Sequence, residues 1–357
     1  VQADLAAGYP GRARRGAAAL LARDPADHQA ARLLVEARAA DGDLAGAAAD
    51  YGRLHAEDRA ARRIIGGSAG TASITATLRD GEGLSQAEIA ARADLPLGGK
   101  VAASGGLRLI ASRVELATGV RREREPVIDA GVTAAVAERT RIALVAASAL
   151  DDRVTGGGAR VVHGSAEAQL RAGATYRMPD YSTVAQVLGR GTLSRVSAGG
   201  TLRLSPAVVA QLDGGWNRYG RAGHDGGTET LTVAGSIDYV LRRQFPTLAL
   251  GYRVEAEYVG DAADGAAPLF LATRENHTVQ GLIGASLGEV SFTGLAGWTI
   301  DRFGGEGPTA SLGVAAPIGI GWRVEASAGV SSISRPGLGD RQVFARAQVT
   351  RSLGSGR

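Results

Sequence analysis

The densest group of chemically capable side chains in the sequence is Arg274-Glu275-Asn276-His277. A histidine near a carboxylate can act as a general base. On an extended chain, however, successive side chains point to opposite faces, so Glu275 and His277 share one side and Arg274 and Asn276 the other. That pattern favours an ion-paired strand start or loop over a catalytic dyad, with a channel-lining contact as the intermediate option. Glu255 and Glu257 form a second candidate, because same-face carboxylates on a strand lie about 6.5 to 7 Å apart at their α-carbons, within the range used for glycoside hydrolysis. Arg253 beside them points instead to a salt-bridged wall. Gly305-Glu306-Gly307 imitates a dinucleotide loop but joins two strands, leaving no helix N-terminus to receive a pyrophosphate. There is no Gly-x-Ser-x-Gly elbow and no phosphate-binding loop of the Walker type. With no cysteine and five dispersed histidines, the chain is expected to hold neither a metal nor a cofactor, and no enzyme activity is expected.

These residues must be positioned by a folded scaffold, and the composition narrows its kind. The chain is 45% hydrophobic and 21% charged, too rich in order-forming residues for disorder. Glycine is abundant, at 52 residues, but follows no three-residue period. The 40 basic and 36 acidic residues are interspersed, which argues against a phosphate-tracking face and so against nucleic-acid binding. No stretch approaches the roughly 18 to 20 apolar residues of a membrane helix. The start at Val1-Gln2, without an initiator Met or a signal core, reads as a fragment from which an export signal, if it had one, is missing.

Two halves differ in pattern. Sliding residues 1–63 against themselves by 34 positions aligns Gly8 with Gly42, Ala13 with Ala47 and Leu20 with Leu54, and Tyr51 joins Ala47 and Leu54 in one helical stripe. A period of 34 is that of tetratricopeptide repeats, whose paired helices need small residues at turns and crossings. An Ala-rich helical hairpin with an accidental period is the alternative. Fewer than two repeats cannot bury a continuous core, so further repeats are expected upstream.

From about residue 64 to 357 the pattern becomes strict alternation. Leu248, Leu250, Tyr252, Val254, Ala256 and Tyr258 take one face, and Arg253, Glu255 and Glu257 the other. Ala87, Ile89, Ala91, Ala93 and Leu95 alternate in the same way with Glu88, Arg92 and Asp94. Leu170, Ala172 and Ala174 alternate with Gln169 and Arg171, whose face also takes Glu167. Ile237 and Tyr239 flank Asp238, and Trp322 and Val324 alternate with Arg323 and Glu325. Sixteen strand segments result, including one from 160 to 177 and one from 182 to 190. Turns are expected at Asp80-Gly81, Gly98-Gly99, Gly156-Gly157-Gly158, Asp225-Gly226-Gly227 and Gly304-Gly305. The Ala-rich stretch 127–150 leaves a helical hairpin open there.

The apolar face is built mostly from Ala, Val, Leu and Gly, too small for a thick sandwich core, and no long helices remain to cover it. Closing the sheet removes its edges, and lipid supplies the cover. The expected fold is therefore an all-β transmembrane antiparallel β-barrel of about 16 strands, preceded by a short α-helical tetratricopeptide-repeat segment. Such a barrel leaves a water-filled lumen. Only fourteen aromatics fall in the barrel portion, none before Tyr176, so interfacial girdles are thin on the first strands.

Helical repeats ahead of a sixteen-stranded barrel resemble the outer-membrane exporters of biofilm exopolysaccharides in the Pel, poly-N-acetylglucosamine and cellulose systems. The segment Pro268 to Val279, which contains Arg274, Glu275 and His277, is most similar to the PelB-like branch when taken with the Gly251–Tyr258 strand. The resemblance implies a porin-like channel in the outer membrane of a Gram-negative bacterium, with the helices in the periplasm. Its partners would be exopolysaccharide, outer-membrane lipid and periplasmic polysaccharide-modifying enzymes. It also implies a cationic, partly deacetylated polymer and an electronegative conduit. After position 63, however, 27 acidic residues face 30 basic ones, which keeps a neutral polymer such as cellulose in view. The candidate pore lining is Glu88, Arg92, Asp94, Glu167, Gln169, Arg171, Asp238, Arg253, Glu255, Glu257, Arg323 and Glu325. Their distributed weak contacts would let a hydrated polymer slide. The alternative function is a non-conducting barrel that anchors or presents the repeats as an adhesin. A glycan-cleaving or lipolytic barrel is a third.

Overall fold

The computed structural model describes residues 1–357 apart from 42, 55–69, 82, 99, 138, 225, 263–272, 333–340 and 355–357. Four helices come first: α1 (Gln2–Ala6), α2 (Pro10–Arg23), α3 (His28–Ala40) and α4 (Leu44–Leu54). Eight strands follow: β1 (Thr71–Gly81), β2 (Leu84–Gly98), β3 (Val101–Leu116), β4 (Gly119–Ala137), β5 (Thr140–Ala149), β6 (Val154–Gly164), β7 (Ala168–Pro179) and β8 (Gly191–Arg203). The remainder are β9 (Val208–Arg221), β10 (Gly227–Arg242), β11 (Thr247–Ala262), β12 (Arg274–Leu287), β13 (Val290–Asp301), β14 (Glu306–Gly319), β15 (Trp322–Ser331) and β16 (Gln342–Ser352). Each strand pairs antiparallel with its sequence neighbours, and β1 pairs with β16, so the sheet closes into a barrel.

Register carries the alternation around the barrel. Ala76 lies opposite Ile89, Ile89 opposite Leu109, and Leu107 opposite Ile128, so the apolar sets of adjacent strands share the outer face. Those residues are not buried by protein: Ile74 is 60% exposed, Ile89 56% and Leu170 65%. A contiguous exposed apolar surface of this extent needs a non-aqueous cover. On β4 the outward series runs from Pro126 to Val136. Ten steps of about 3.3 Å on a strand tilted by about 40° span about 25 Å, the height of a lipid-facing band. Placing a guanidinium at the middle of that band, as in Val132→Arg, should lower the stability of the refolded barrel by about 2–4 kcal/mol, read by urea unfolding in lipid vesicles.

The ends differ. At one, the turns are short: 99–100, 138–139, 165–167, 204–207, 243–246, 288–289 and 320–321. At the other lie the longer connections, among them 180–190, 263–273 and 332–341. α1 and α2 sit against the short-turn end. The Arg12 amide donates to Glu167 Oε1 at 3.3 Å, and Arg243 donates to the Ala6 carbonyl at 3.4 Å. The Tyr9 ring lies 4.5 Å from the Arg12 guanidinium and 6.0 Å from that of Arg203.

The number of strands matches expectation through two compensating differences. The segment 160–177 is two strands, β6 and β7, separated by the turn at 165–167, whereas 182–190 is no strand at all but carries a short helix, α5 (Val184–Gly189). Gly156-Gly157-Gly158 lies inside β6 rather than in a turn. A β-carbon on Gly158 would sit 2.4 Å from the Ala174 carbonyl oxygen, and one on Gly156 2.3 Å from that of Arg177. Glycine here permits close approach of β7, the other use of glycine in a strand. The Ala-rich stretch 127–150 forms β4 and β5, with Val127 opposite Ala149.

In the helical segment, Ala13, Ala47 and Tyr51 are buried, and Gly8, at φ +77°, turns the chain between α1 and α2. Arg38 of α3 donates to Asp50 of α4 at 2.6 Å. Leu20, assigned to repeat packing by its alignment with Leu54, is 41% exposed. Leu54 is the last residue of α4; Gly42 and the boundary at residues 63 and 64 lie outside the described residues.

Candidate functional site

The inner face of the closed sheet is where the polar halves of the strands converge. Parity with the exposed apolar residues puts Glu88, Arg92 and Asp94 of β2, Gln169 and Arg171 of β7, and Asp238 of β10 on this face. Arg253, Glu255 and Glu257 of β11 and Arg323 and Glu325 of β15 lie there too. Most of these charges already have partners on the same wall. Arg92 meets Asp94 at 2.9 Å, Arg253 meets Glu255 at 3.8 Å, and Arg323 meets Glu325 at 2.6 Å. Arg171 does not pair with Glu167; it forks onto Asp213 of β9, with Nε to Oδ1 at 2.7 Å. Glu167 lies in the 165–167 turn and faces α2, so it belongs to the helix contact rather than to the wall. Arg108 with Asp129 at 2.8 Å is a further inner pair, and the same alternation on β3 and β4 would have found it.

A buried polar cluster marks the long-loop half of β9 to β13. Glu257, only 3% exposed, accepts from Tyr219 Oη at 2.9 Å, from Thr230 Oγ1 at 2.8 Å and from Arg274 at 3.0 Å. Beside it a hydroxyl ladder runs from Thr278 to Thr299 at 2.8 Å and on to Thr309 at 3.0 Å. Asn276 is 1% exposed, and its amide finds no hydrogen-bond partner among the described residues. The sequence singled out Glu257 and Arg274 but not the residues that complete this cluster, since hydroxyl and amide side chains carry no charge signal.

The Arg274–His277 segment is split by the strand. Arg274 and Asn276 face inward, whereas Glu275 and His277 face outward at the lipid-facing rim. There Glu275 accepts from Tyr258 at 2.8 Å and Arg302 at 3.1 Å and lies 3.0 Å from His277 Nε2. His277 Nδ1 is 2.6 Å from Tyr252 Oη. Trp216 and Trp298 donate nearby to Glu229 and Glu306. This is an interfacial belt of aromatic rings with polar tips, anchored by carboxylates. Pro268 to Ala272 of the family-like segment lie outside the described residues.

The inward-folded connection between β7 and β8 was not expected from the sequence. It brings Tyr181, Val184, Val187 and Leu188 against Leu84, Ile110, Val114, Val127, Ala147, Ala149 and Val154, all on the inner face of β2 to β6. Thr183 caps α5, its Oγ1 accepting from the Gln186 amide at 3.1 Å. Gln86 Nε2 and Arg79 Nη2 donate to the Tyr181 carbonyl at 2.9 and 3.0 Å, and Tyr181 Oη donates to Asp152 at 3.0 Å. Loss of hydration raises the Asp180 carboxyl above its usual range, partly offset by hydrogen bonds from Ser182 and by Arg79. Burial also raises the Tyr181 phenol, and Asp152 adds to the shift. Two sequence signals could have found this connection: Thr183-x-x-Gln186 has the spacing of a capping box, and apolar Ile110, Val114 and Val127 occupy inward positions.

The sequence matches no known family, and no curated protein matches it. Among solved structures, a "bacterial polysaccharide outer membrane secretin" aligns over 80% of this chain and 98% of its own, with TM-score 0.61 and 10% identity. OccK7 (OpdD) of Pseudomonas aeruginosa aligns over 79% of this chain and 97% of its own, with TM-score 0.38 and 13% identity. OmpT, an outer membrane protein of Vibrio cholerae, aligns over 79% and 98%, with TM-score 0.38 and 11% identity. The first of these likenesses shows the fold of this chain to be an outer-membrane-type barrel.

Proposed function

We propose that this barrel sits in the bacterial outer membrane and exports a hydrated exopolysaccharide, with the connection 180–190 as its stopper. The carrying observation is the inner wall. Its charges are mostly paired with neighbours and interspersed with amides and hydroxyls, so each contact with a sliding sugar chain is weak and readily exchanged. The fold likeness to a polysaccharide secretin supports this reading. Short turns are typical of the periplasmic end of such barrels, which supports a periplasmic position for α1 to α4. There the repeat-like helices would guide polymer or recruit modifying enzymes.

The finer reading is a Pel-type, partly deacetylated amino-sugar polymer. Its test is block of current through the stopper-deleted barrel: cationic amino-sugar oligomers should block at lower concentration than neutral glucan oligomers. Equal block by both would replace this reading with a neutral cargo. A second reading, a non-conducting anchor for the helices, draws on the packed stopper itself. A folded barrel that stays silent after the stopper is removed would favour it.

Acidity should act on the stopper. Packing raises the Asp180 pKa, so the packed state binds this proton more tightly than the displaced state. Packing is then favoured below the ordinary aspartate value near 3.8, and that advantage is lost as pH rises through the raised value. Brief openings in planar bilayers should be rarer at pH 4 than at pH 7.5, and Asp180→Asn should abolish the difference.

A further inference from the structure

On the outer face of β3 and β4, where the apolar band meets the long-loop end, three arginines interrupt the lipid-facing series. Arg122 and Arg124 lie two residues apart on β4 and point outward, just beyond Pro126. Arg113 of β3 lies directly opposite Arg122 and is 3.0 Å from Glu115. All three are exposed. Among the described residues, neither Arg122 nor Arg124 has an ion-pair or hydrogen-bond partner for its guanidinium. The outward carboxylates nearby are already taken, Asp80 of the same groove by the Ser85 hydroxyl and Glu115 by Arg113, so two unpaired cations at the edge of the apolar band are costly unless something anionic meets them. They also stand where the interfacial belt lacks aromatics, since β1 to β6 contain no Trp, Tyr or Phe.

The same three arginines line a groove of about 490 Å³ on this surface, whose apolar lining includes Leu78, Ala87, Ala111 and Ala345. Alanines on neighbouring strands leave the depression, and the guanidiniums rim its polar end. We infer that this groove binds a phosphate-bearing, acylated lipid of the surrounding leaflet. The arginines would hold the phosphate through charge-assisted, forked hydrogen bonds, and an acyl chain would lie over the alanines.

The test uses the refolded full chain in a neutral detergent, with bound lipid counted by native mass spectrometry. The probes are bisphosphorylated lipid A, the same lipid stripped of phosphate, and inorganic phosphate as competitor. Lipid A should bind at least tenfold more tightly than its dephosphorylated form, and millimolar inorganic phosphate should not displace it. Arg122→Ala/Arg124→Ala should lose at least tenfold in affinity for lipid A while still folding, seen as unchanged heat-modifiable migration. Ala111→Phe, which fills the groove and leaves the arginines in place, should weaken both lipids alike. Equal binding by the parent and the double-arginine variant overturns the site. Equal binding of the two lipids removes the phosphate from its recognition, and full displacement by inorganic phosphate makes it a free-anion site rather than a lipid site. None of these outcomes depends on whether the lumen conducts.

Discussion

Deleting residues 181–190 and closing β7 to β8 with two glycines should turn a silent barrel into one that carries steady current in planar bilayers. The hairpin can accept the deletion, because Pro179 already pairs with Thr192 and the Asp180 amide donates to the Gly191 carbonyl at 3.0 Å. What holds the connection inside is mainly apolar burial. Tyr181, Val184, Val187 and Leu188 pack on the inner wall, and burying a side chain of this kind contributes roughly 1.5–3 kcal/mol when complete. Tyr181 and Val187 are buried and Val184 and Leu188 partly so, and with the hydrogen bonds to Tyr181 this is comparable with the roughly 5.5 kcal/mol that carries a two-state element from 1:99 to 99:1. The undisturbed protein should therefore show only brief openings. A single charge at the centre of the contact, Val187→Asp, should raise open probability at least tenfold without shortening the chain. A deleted barrel that folds, by heat-modifiable migration, yet carries no current would end the export reading.

The second large effect concerns Glu257. Glu257→Ala should lower barrel stability by about 3–5 kcal/mol, because it leaves the inward Arg274 guanidinium without its counter-charge. Tyr219 and Thr230 would lose their acceptor as well. The paired replacement Glu257→Leu/Arg274→Met should recover most of the loss, since exchanging a buried pair for apolar groups is often neutral. Urea unfolding of the refolded barrel in vesicles measures both. If the single variant falls by less than about 1 kcal/mol, or the double variant by as much as the single, the pair is not the buried unit that the geometry indicates.

How far the sequence foretold this molecule depends on which physical signal each part carries. Strands such as Leu248–Tyr258 alternate because lipid and water lie on opposite sides of one layer, and that contrast is written residue by residue. The connection 180–190 obeys another rule. It is a short capped helix of under two turns, and its apolar residues serve a contact with strand residues from about thirty to about a hundred positions earlier. Read locally, Val184, Val187 and Leu188 look like strand residues. Gly156 to Gly158 mislead in the opposite direction, because glycine marks a close backbone approach as readily as a turn. Of the wall residues, those whose partners lie two positions along the same strand, such as Arg92 with Asp94, were legible. Arg171 with Asp213 was not, because that pair spans β8 and depends on register.

The β7–β8 hairpin is gripped at both of its ends. At one, Glu167 enters β7 and Arg203 leaves β8, and both touch the α1–α2 corner. At the other, the same two strands carry α5 into the lumen. Under the proposed export function, a partner that tugged on the helices would pull the root of the hairpin whose tip is the cork, and recruitment at one end would be joined to unstoppering at the other by one stiff rod.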